Sequence, residues 1–312
     1  MTENLRGALF MVLAMACFVG NDAIMQTFAD EMAWYRAIAI RGAFGVAFGI
    51  LLCLTIDGAR PFAVALGYAR RPAVVARIAF EIAGTACFML ALFAMRLTDV
   101  NAILQTLPLF LTLGGALFFR ETIGPRRLLA ALAGFLGVLL IIQPGTDAFQ
   151  PAAIYAVGAT LFMAGRDLVT KAVPADVPSS YVALWTTVGV WLVALALSVT
   201  LPGEMPSIGS AVLGRLLAAA VLLASGFVLI VLAMRTGEVG FVAPFRYAIL
   251  LMALVLDFLI LGTVPGPWKW LGAGIVVAAG LYTFARERRA ERNPPMASSS
   301  AAVSSASQSR NV

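Results

Sequence analysis

Long apolar stretches, interrupted by one or a few charged residues, run through most of the chain. Each stretch is close to the roughly 20 residues that a helix needs to cross the hydrocarbon core of a bilayer. The pattern therefore predicts an all-α integral membrane protein with ten transmembrane helices, near residues 6–26, 34–55, 74–95, 99–119, 126–143, 151–172, 180–201, 211–233, 239–261 and 267–285.

The composition agrees with this prediction. Of the 312 residues, 61% are hydrophobic and 12% are charged, whereas a soluble domain is roughly half apolar and a quarter charged. These fractions argue against a soluble enzyme. The chain has no histidine, which removes His-ligated zinc, Ser-His-Asp catalysis and histidine proton relays. Its three cysteines lie in apolar runs without a metal-binding spacing and are expected to be packing residues.

The basic residues predict the orientation, because Lys and Arg accumulate in cytoplasmic loops. With the N-terminus in the cytoplasm, the outer side receives only Arg96, Arg215 and Lys269. The net charge of +6 is then explained by inner loops rather than by a nucleic-acid surface. We expect an inner-membrane protein with both termini cytoplasmic. Residues 289–312 are expected to be a disordered tail, since they are too polar and small-sided to form a core.

Two short motifs recur at a nearly constant shift. Residues 95–100 (MRLTDV) return as 234–239 (MRTGEV), and residues 20–22 (GND) return as 165–167 (GRD). The recurrence predicts two five-helix units, residues 1–147 and 148–288. Since five is odd, the units must lie in opposite orientations, with a site near the midplane between them. Chance similarity between apolar helices is the alternative.

Charged residues at membrane depth are candidates for function, because such charges are costly unless they are paired or hydrated. Arg77 and Glu81 are four residues apart and can form an ion pair on one helix face. In the functional alternative, Glu81 faces the cavity and binds a substrate ammonium or a proton. Arg36 and Arg215 lie near helix ends, which favours snorkelling towards the headgroups.

The recurring motif places Asp22 near the outer side and Asp167 near the inner side. Either carboxylate can line the cavity or can serve only in capping and helix packing. Arg166 and Asp167 point about 100° apart on a helix, so we expect each to pair with other helices. Arg41 lies deeper and should face protein or water. Asp257 is equally consistent with a structural acceptor and a proton site.

Two prolines predict kinks that would act as hinges. Pro244 in the ninth helix is followed by Arg246 and Tyr247, which can grip a carboxylate or phosphate and supply a ring; snorkelling of Arg246 is the alternative. Pro108 in the fourth helix lies near Gln105, a candidate polar wall group. The aromatic residues are more often packing than ligand platforms, but Phe88 and Trp185 would suit a ring-bearing substrate.

Several segments make the chain recognisable. Residues 98–104 (TDVNAIL), 108–110 (PLF), 120–127 (RETIGPRR) and 242–247 (VAPFRY) resemble the EamA type of the drug/metabolite transporter superfamily. The resemblance implies ten helices in two inverted repeats and a central cavity lined by helices 1, 3, 4, 6, 8 and 9. Relatives of this type export amino acids or related metabolites, and some take up riboflavin or S-adenosylmethionine. The first half keeps the family's glutamate as Glu121, whereas the matching place in the second half reads Gly262-Thr263.

The combined prediction is a secondary active transporter, not an enzyme, which moves a small polar or zwitterionic metabolite by alternating access. It needs no cofactor or metal, binds no nucleic acid, and works in the lipid bilayer as a monomer or homodimer. A vitamin or cofactor importer of the riboflavin or S-adenosylmethionine type is the alternative, and a membrane-embedded enzyme is a remote one. The sequence contains no phosphate-binding loop for ATP, so the energy for transport must come from a gradient or from exchange. Protonation of Asp22, Glu81, Asp167 or Asp257 is one means of coupling transport to a proton gradient.

Overall fold

The computed structural model describes residues 3–119, 125–143, 150–170, 172–201, 209–236, 242–262 and 266–292. Within these ranges all regular structure is helical. The helices are α1 (Glu3–Gln26), α2 (Trp34–Ile56), α3 (Phe62–Ala69), α4 (Pro72–Ala94), α5 (Leu97–Leu104), α6 (Leu107–Phe119), α7 (Pro125–Ile142), α8 (Ala153–Thr170), α9 (Ser179–Thr200), α10 (Ser210–Thr236), a 3-10 helix η1 (Ala243–Tyr247), α11 (Ala248–Leu261) and α12 (Pro267–Arg292).

Five of the described helices are long and apolar enough to cross a membrane by length and composition. They are α1, α2, α4, α9 and residues Ser210–Ala233 of α10. Large apolar side chains also cover the outside of the bundle. Val199 is 79% exposed and Leu259 is 70% exposed, which would be unfavourable in water but is what contact with lipid requires.

The fourth predicted helix is two helices in the structure. α5 ends at Leu104 and α6 begins at Leu107, with a turn at Gln105 and Thr106. Pro108 causes the break, because it has no N–H to donate and its ring would clash with the carbonyl of Leu104. The Thr106 hydroxyl donates to the carbonyl of Ile103 at 2.6 Å and occupies one backbone acceptor at the turn.

The ninth predicted helix is also irregular. It starts with the 3-10 helix η1, which contains Pro244, and continues as α11. α11 ends where Gly262 adopts a φ of +63°, a conformation that a side chain would strain. The short helix α3 was not predicted. It follows Pro61, and a second proline, Pro72, occupies the first position of α4, where its missing N–H costs nothing.

The earlier and later parts of the chain are interleaved in one bundle. α1 packs on α10, α2 on α9, α4 on α8, α5 on α11 and α7 on α12. Smaller contacts join α4 to α9, α2 to α10, α1 to α11, and α8 to both α5 and α6. Every pair in this set contains one helix from before residue 143 and one from after residue 150. The core is therefore built between the two parts rather than within each.

The buried apolar residues are distributed unequally along the bundle. At the end where α1 and α4 finish and α12 begins, called the Lys269 end, one cluster joins seven helices through residues such as Val19, Ile38, Leu92, Leu216 and Ala253. At the opposite, N-terminal end, the buried residues form separate smaller clusters. Among the described residues, the apolar core is thus closed at the Lys269 end and divided into smaller clusters at the N-terminal end.

One helix pair makes direct backbone contact. A Cβ added to Gly137 of α7 would lie 2.8 Å from the carbonyl oxygen of Gly272, and one added to Gly272 of α12 would lie 2.5 Å from that of Gly137. Both distances are too short for a side chain. The pair therefore depends on glycine at both positions.

Candidate functional site

Helix α4 has neighbours on two sides. Phe80 packs against Gly165 of α8, and Ile78 packs against Gly189 of α9. At 100° per residue, these two contacts lie about 160° apart around α4. The 160° sector between them contains the fully buried Leu92, so the side chains of this sector point towards the other helices of the bundle.

The stripe between these contacts carries Arg77, Glu81, Phe88 and Leu92. Their spacings of four, seven and four residues keep them on one face of the helix. Leu92 is fully buried in the seven-helix cluster, and Phe88 packs against that cluster while keeping part of its surface exposed. The stripe thus leads from the closed Lys269 end to polar residues nearer the N-terminal end.

Glu81 is held by an arginine from another helix. Arg166 Nη1 of α8 donates to Glu81 Oε2 at 2.9 Å, and its Nε donates to Asp167 Oδ1 at 2.7 Å. The predicted Arg77–Glu81 ion pair is therefore replaced by one between α4 and α8. Arg166 thus pairs with another helix, as expected. It also pairs with Asp167, which was not expected, because the long arginine side chain reaches both carboxylates at once.

Arg77 completes a balanced cluster. Its Nη1 donates to the Thr170 hydroxyl, which in turn donates to the carbonyl of Arg166 at 2.7 Å. Two guanidinium groups thus lie with the two carboxylates of Glu81 and Asp167, and their formal charges sum to zero. Such compensation is what allows ionised groups to remain at membrane depth.

A second polar group connects α1 and α2. Arg41 Nη1 donates to Asn21 Oδ1 at 2.7 Å, and Asn21 Nδ2 donates to Asp22 Oδ1 at 2.9 Å. Asn21 and Asp22 are both buried. Asn21 therefore orients the carboxylate and links it to the guanidinium, which balances its charge. Arg41 faces protein, as expected from its depth.

Asp257 lies at the Lys269 end with 1% of its surface exposed. Its two carboxylate oxygens accept hydrogen bonds from the backbone N–H groups of Leu97, at 3.2 Å, and Thr98, at 2.8 Å. These groups begin α5 and would otherwise have no helical acceptor. Asp257 of α11 is therefore a cap for α5, which corresponds to the structural role that the sequence left open.

Further polar contacts at this end were not predicted from the sequence. Lys269 Nζ donates to the buried Asp99 Oδ2 at 2.5 Å. Gln26 Nε2 donates to the carbonyls of Leu92, at 3.1 Å, and Met95, at 2.7 Å, at the end of α4. These partners lie more than 60 residues apart along the chain, and no local pattern marks them.

The two arginines expected to snorkel are held by protein contacts. Arg36 is buried, and its guanidinium lies 5.8 Å from the Tyr35 ring centroid. Arg215 donates to both carboxylate oxygens of Glu31 and lies over the ring of Phe28. The hydrogen bonds from Arg215 lower the pKa of Glu31, which is in the loop between α1 and α2.

The remaining candidates are spread over the bundle. Gln105 is partly buried at the break between α5 and α6. Trp185 donates to the carbonyl of Ala65 at 2.8 Å and packs on α3, which favours its packing role. Arg246 of η1 is exposed, and none of the described carboxylates is within ion-pairing distance of it; Tyr247 beside it is partly buried. The hinge roles of Pro108 and Pro244 stay predictions.

Several features used in the sequence analysis lie outside the described residues. They include Glu121, Glu238, Thr263 and residues 293–312 of the predicted tail. Residues 289–292 of that tail belong to α12, so the prediction of disorder was wrong for them. Among the described residues, no three side chains of His, Cys, Asp or Glu are grouped so that they could hold a metal ion.

Comparison with known proteins identifies the family. The model of the EamA-like transporter family matches the chain twice, at residues 5–143 and 150–285. The chain belongs to the EamA-like transporter family. This membership and the apolar helices make it a multi-pass membrane protein.

Relatives of this EamA-like chain carry two different substrate names. It is 28% identical to a protein named riboflavin transporter from Rhizobium johnstonii, over 92% of this chain and 94% of that protein. It is also 28% identical to a riboflavin transporter from Vibrio cholerae, over 93% of this chain and 97% of that protein. It is 24% identical to an S-adenosylmethionine uptake transporter from Rickettsia felis, over 62% of this chain and 65% of that protein.

A solved crystal structure has a similar fold. It matches this EamA-like chain with a TM-score of 0.60 and 17% sequence identity, over 91% of this chain and 98% of the solved one. At that identity the likeness concerns the fold alone.

Proposed function

We propose that this chain is a secondary active transporter that takes up riboflavin or a closely related uncharged flavin. The observation that carries the proposal is the match, over more than nine tenths of both chains, to two proteins named riboflavin transporter. The comparisons support this importer better than the export of an amino acid or another zwitterionic metabolite. Transport moves the solute without converting it, so no enzymatic step is proposed.

The charge balance of the bundle supports an uncharged substrate. Each described carboxylate at membrane depth already has a donor: Asp22, Glu81, Asp99, Asp167 and Asp257. A cationic solute would have to displace one of these donors, and a partly buried ion pair is costly to break. Riboflavin carries no net charge at neutral pH and needs only hydrogen bonds and ring contacts.

An inverted repeat is supported by the packing. If α1, α2, α4, α5–α6 and α7 are crossings 1 to 5, then α8, α9, α10, η1–α11 and α12 are crossings 6 to 10. The packed pairs 1 and 8, 2 and 7, 3 and 6, 4 and 9, and 5 and 10 are unchanged when each crossing is exchanged for the one five places away. We therefore propose two units, residues 1–147 and 148–288, related by an axis in the membrane plane.

The distribution of the basic residues supports one orientation in the membrane. We propose an inner-membrane protein, monomeric or homodimeric, whose two termini and residues 289–312 are cytoplasmic. The N-terminal end of the bundle then faces the cytoplasm. In this orientation the proposed state is sealed on the outer side, and the apolar cluster that seven helices share there supports it. Alternating access would require this cluster to separate while the divided end closes.

Purified protein in proteoliposomes should take up labelled riboflavin with saturable kinetics. We expect this because the chain matches two riboflavin transporters and because its buried carboxylates already have donors, which suits an uncharged solute. Unlabelled riboflavin should compete at equimolar concentration, whereas S-adenosylmethionine in tenfold excess should not. Uptake that rises linearly with concentration, or that equals uptake by empty vesicles, would contradict the proposal. If S-adenosylmethionine competed and unlabelled riboflavin did not, S-adenosylmethionine would be favoured as the substrate.

Arg246→Ala serves as an internal comparison in this assay. If the Arg246 guanidinium donates to the substrate, the variant should lose uptake while its amount in the membrane stays normal. Unchanged uptake would indicate that Arg246 snorkels to the headgroups, and the residue would leave the proposed site.

Of the four candidate coupling carboxylates, Asp22 is favoured. Protonation of Glu81 or Asp167 would break its ion pair with Arg166. Protonation of Asp257 would leave one of its two carboxyl oxygens unable to accept as well from the N–H groups of Leu97 and Thr98. Asp22 instead bonds directly to the neutral Asn21 amide.

We expect an inward proton gradient to raise riboflavin uptake severalfold in wild type and to have no effect in Asp22→Asn. A gradient response in Asp22→Asn as large as that in wild type would exclude this role.

A further inference from the structure

The stripe on α4 changes character along its length. At one extreme, Leu92 is fully buried in the seven-helix cluster. One helical turn away, Phe88 packs against this cluster and against a second one, yet it keeps part of its surface exposed. Ile249 of α11 likewise packs on both clusters and remains partly exposed. We call Phe88 and Ile249, which both border these two clusters, the apolar wall.

The polar extreme of the stripe lies two helical turns from this wall. Glu81 precedes Phe88 by seven residues, which places the two side chains on the same face about 10 Å apart along the helix axis. Glu81 and Arg166 each keep 22% of their side-chain surface exposed. Because charges exposed to lipid are costly, the binding site inferred below places this surface in a hydrated space inside the bundle.

The two extremes suit two chemically different parts of one solute. A flat aromatic ring gains by stacking on Phe88 against apolar neighbours, where hydroxyl groups would lose their hydrogen bonds. A polyhydroxylated chain can replace water around Glu81, Arg166 and Asp167, which together offer both donors and acceptors. A separation of two helical turns accommodates a fused ring system at one extreme and a short chain at the other.

We infer that a flavin binds with its ring stacked on Phe88 at the closed end and its ribityl chain extended to the Glu81–Arg166 pair. This inference rests on the proposed function and deepens it by fixing the orientation of the substrate. It assigns Phe88 to recognition of the ring and Glu81 to recognition of the chain. The site therefore separates affinity for the ring from selectivity for the hydroxyl groups.

Quenching of flavin fluorescence by purified protein tests this orientation. The two probes are riboflavin and lumiflavin, which has the same ring and a methyl group in place of the ribityl chain. Phe88→Ala should weaken both probes by about tenfold, since stacking on an aromatic side chain is worth about 1–3 kcal/mol. Glu81→Gln should weaken the binding of riboflavin by about tenfold and leave the affinity for lumiflavin within about twofold of wild type.

Further variants guard against a loss of folding. Phe88→Leu keeps the apolar bulk and should lose affinity for both probes with normal yield and unfolding temperature. Phe258→Ala removes a 55% exposed aromatic residue from the outside of α11 and should change neither affinity. Equal weakening of both probes by Glu81→Gln, or lumiflavin binding unaffected by both Phe88 variants, would overturn the orientation alone. Wild-type protein that binds neither probe would overturn the proposed function as well.

Discussion

Arg166→Gln is expected to abolish the proposed uptake of riboflavin and to lower the amount of folded protein in the membrane. The substitution leaves the two carboxylates of Glu81 and Asp167 with Arg77 as the remaining cation of their cluster, so its formal charge changes from zero to −1. Removing one partner of a fully buried pair costs about 3–5 kcal/mol. We expect about 2–3 kcal/mol here, because both partners keep 22% of their side-chain surface exposed.

The double variant Arg166→Gln/Glu81→Gln separates stability from transport. It removes one charge of each sign and leaves Arg77 with Asp167, so the amount of folded protein should return to nearly the wild-type level. Uptake should remain absent, because the proposed contacts to the ribityl chain are lost. Membrane yield by fluorescence size-exclusion chromatography and uptake in proteoliposomes give the two measurements. If the double variant transported at the wild-type rate, the pair would be a structural element only.

Asp257→Ala is expected to cause the largest loss of stability of any single substitution proposed. It deprives the backbone N–H groups of Leu97 and Thr98 of their acceptor in a buried place. Leaving a buried donor unsatisfied costs about 1–3 kcal/mol, so two donors give about 2–4 kcal/mol after partial relaxation. The midpoint of thermal unfolding in detergent, followed by far-UV circular dichroism, should fall by about 5–10 °C.

Two comparison variants define this effect. Asp257→Asn keeps one acceptor oxygen and should lose about half as much stability as Asp257→Ala. Asp176→Ala removes an ion pair with Arg71 in which both side chains are at least half exposed, and such pairs contribute at most about 1 kcal/mol. An unfolding midpoint of Asp257→Ala within about 1 °C of wild type would show that α5 does not depend on this cap.

The helices could be predicted from the sequence because their signal is local. A run of apolar residues between charges fixes a helix in the bilayer whatever surrounds it, and Pro108 and Pro244 mark the two irregular crossings through their own covalent geometry. The short helix α3 was missed, because its eight residues lie in a connection where no membrane-length pattern exists.

The partners of the polar residues could not be predicted in the same way. The spacing of Arg77 and Glu81 suggested a pair within one helix, but Glu81 meets an arginine 85 positions later. Which of two possible partners a side chain takes depends on how the helices pack, and a single sequence carries little information on packing. For the same reason Asp257 was left between two roles, and Lys269 served only as a marker of topology.

The backbone contact of Gly137 with Gly272 limits how the bundle can rearrange. Two helices that touch without side chains between them can swivel about the crossing point and keep their packing. A slide along the axis would instead drive Ile141 or Ile275, which border the two glycines, into a gap too narrow for them. The crossing of α7 and α12 is therefore suited to be a fixed pivot, and a conformational cycle that preserves it must proceed by rotation.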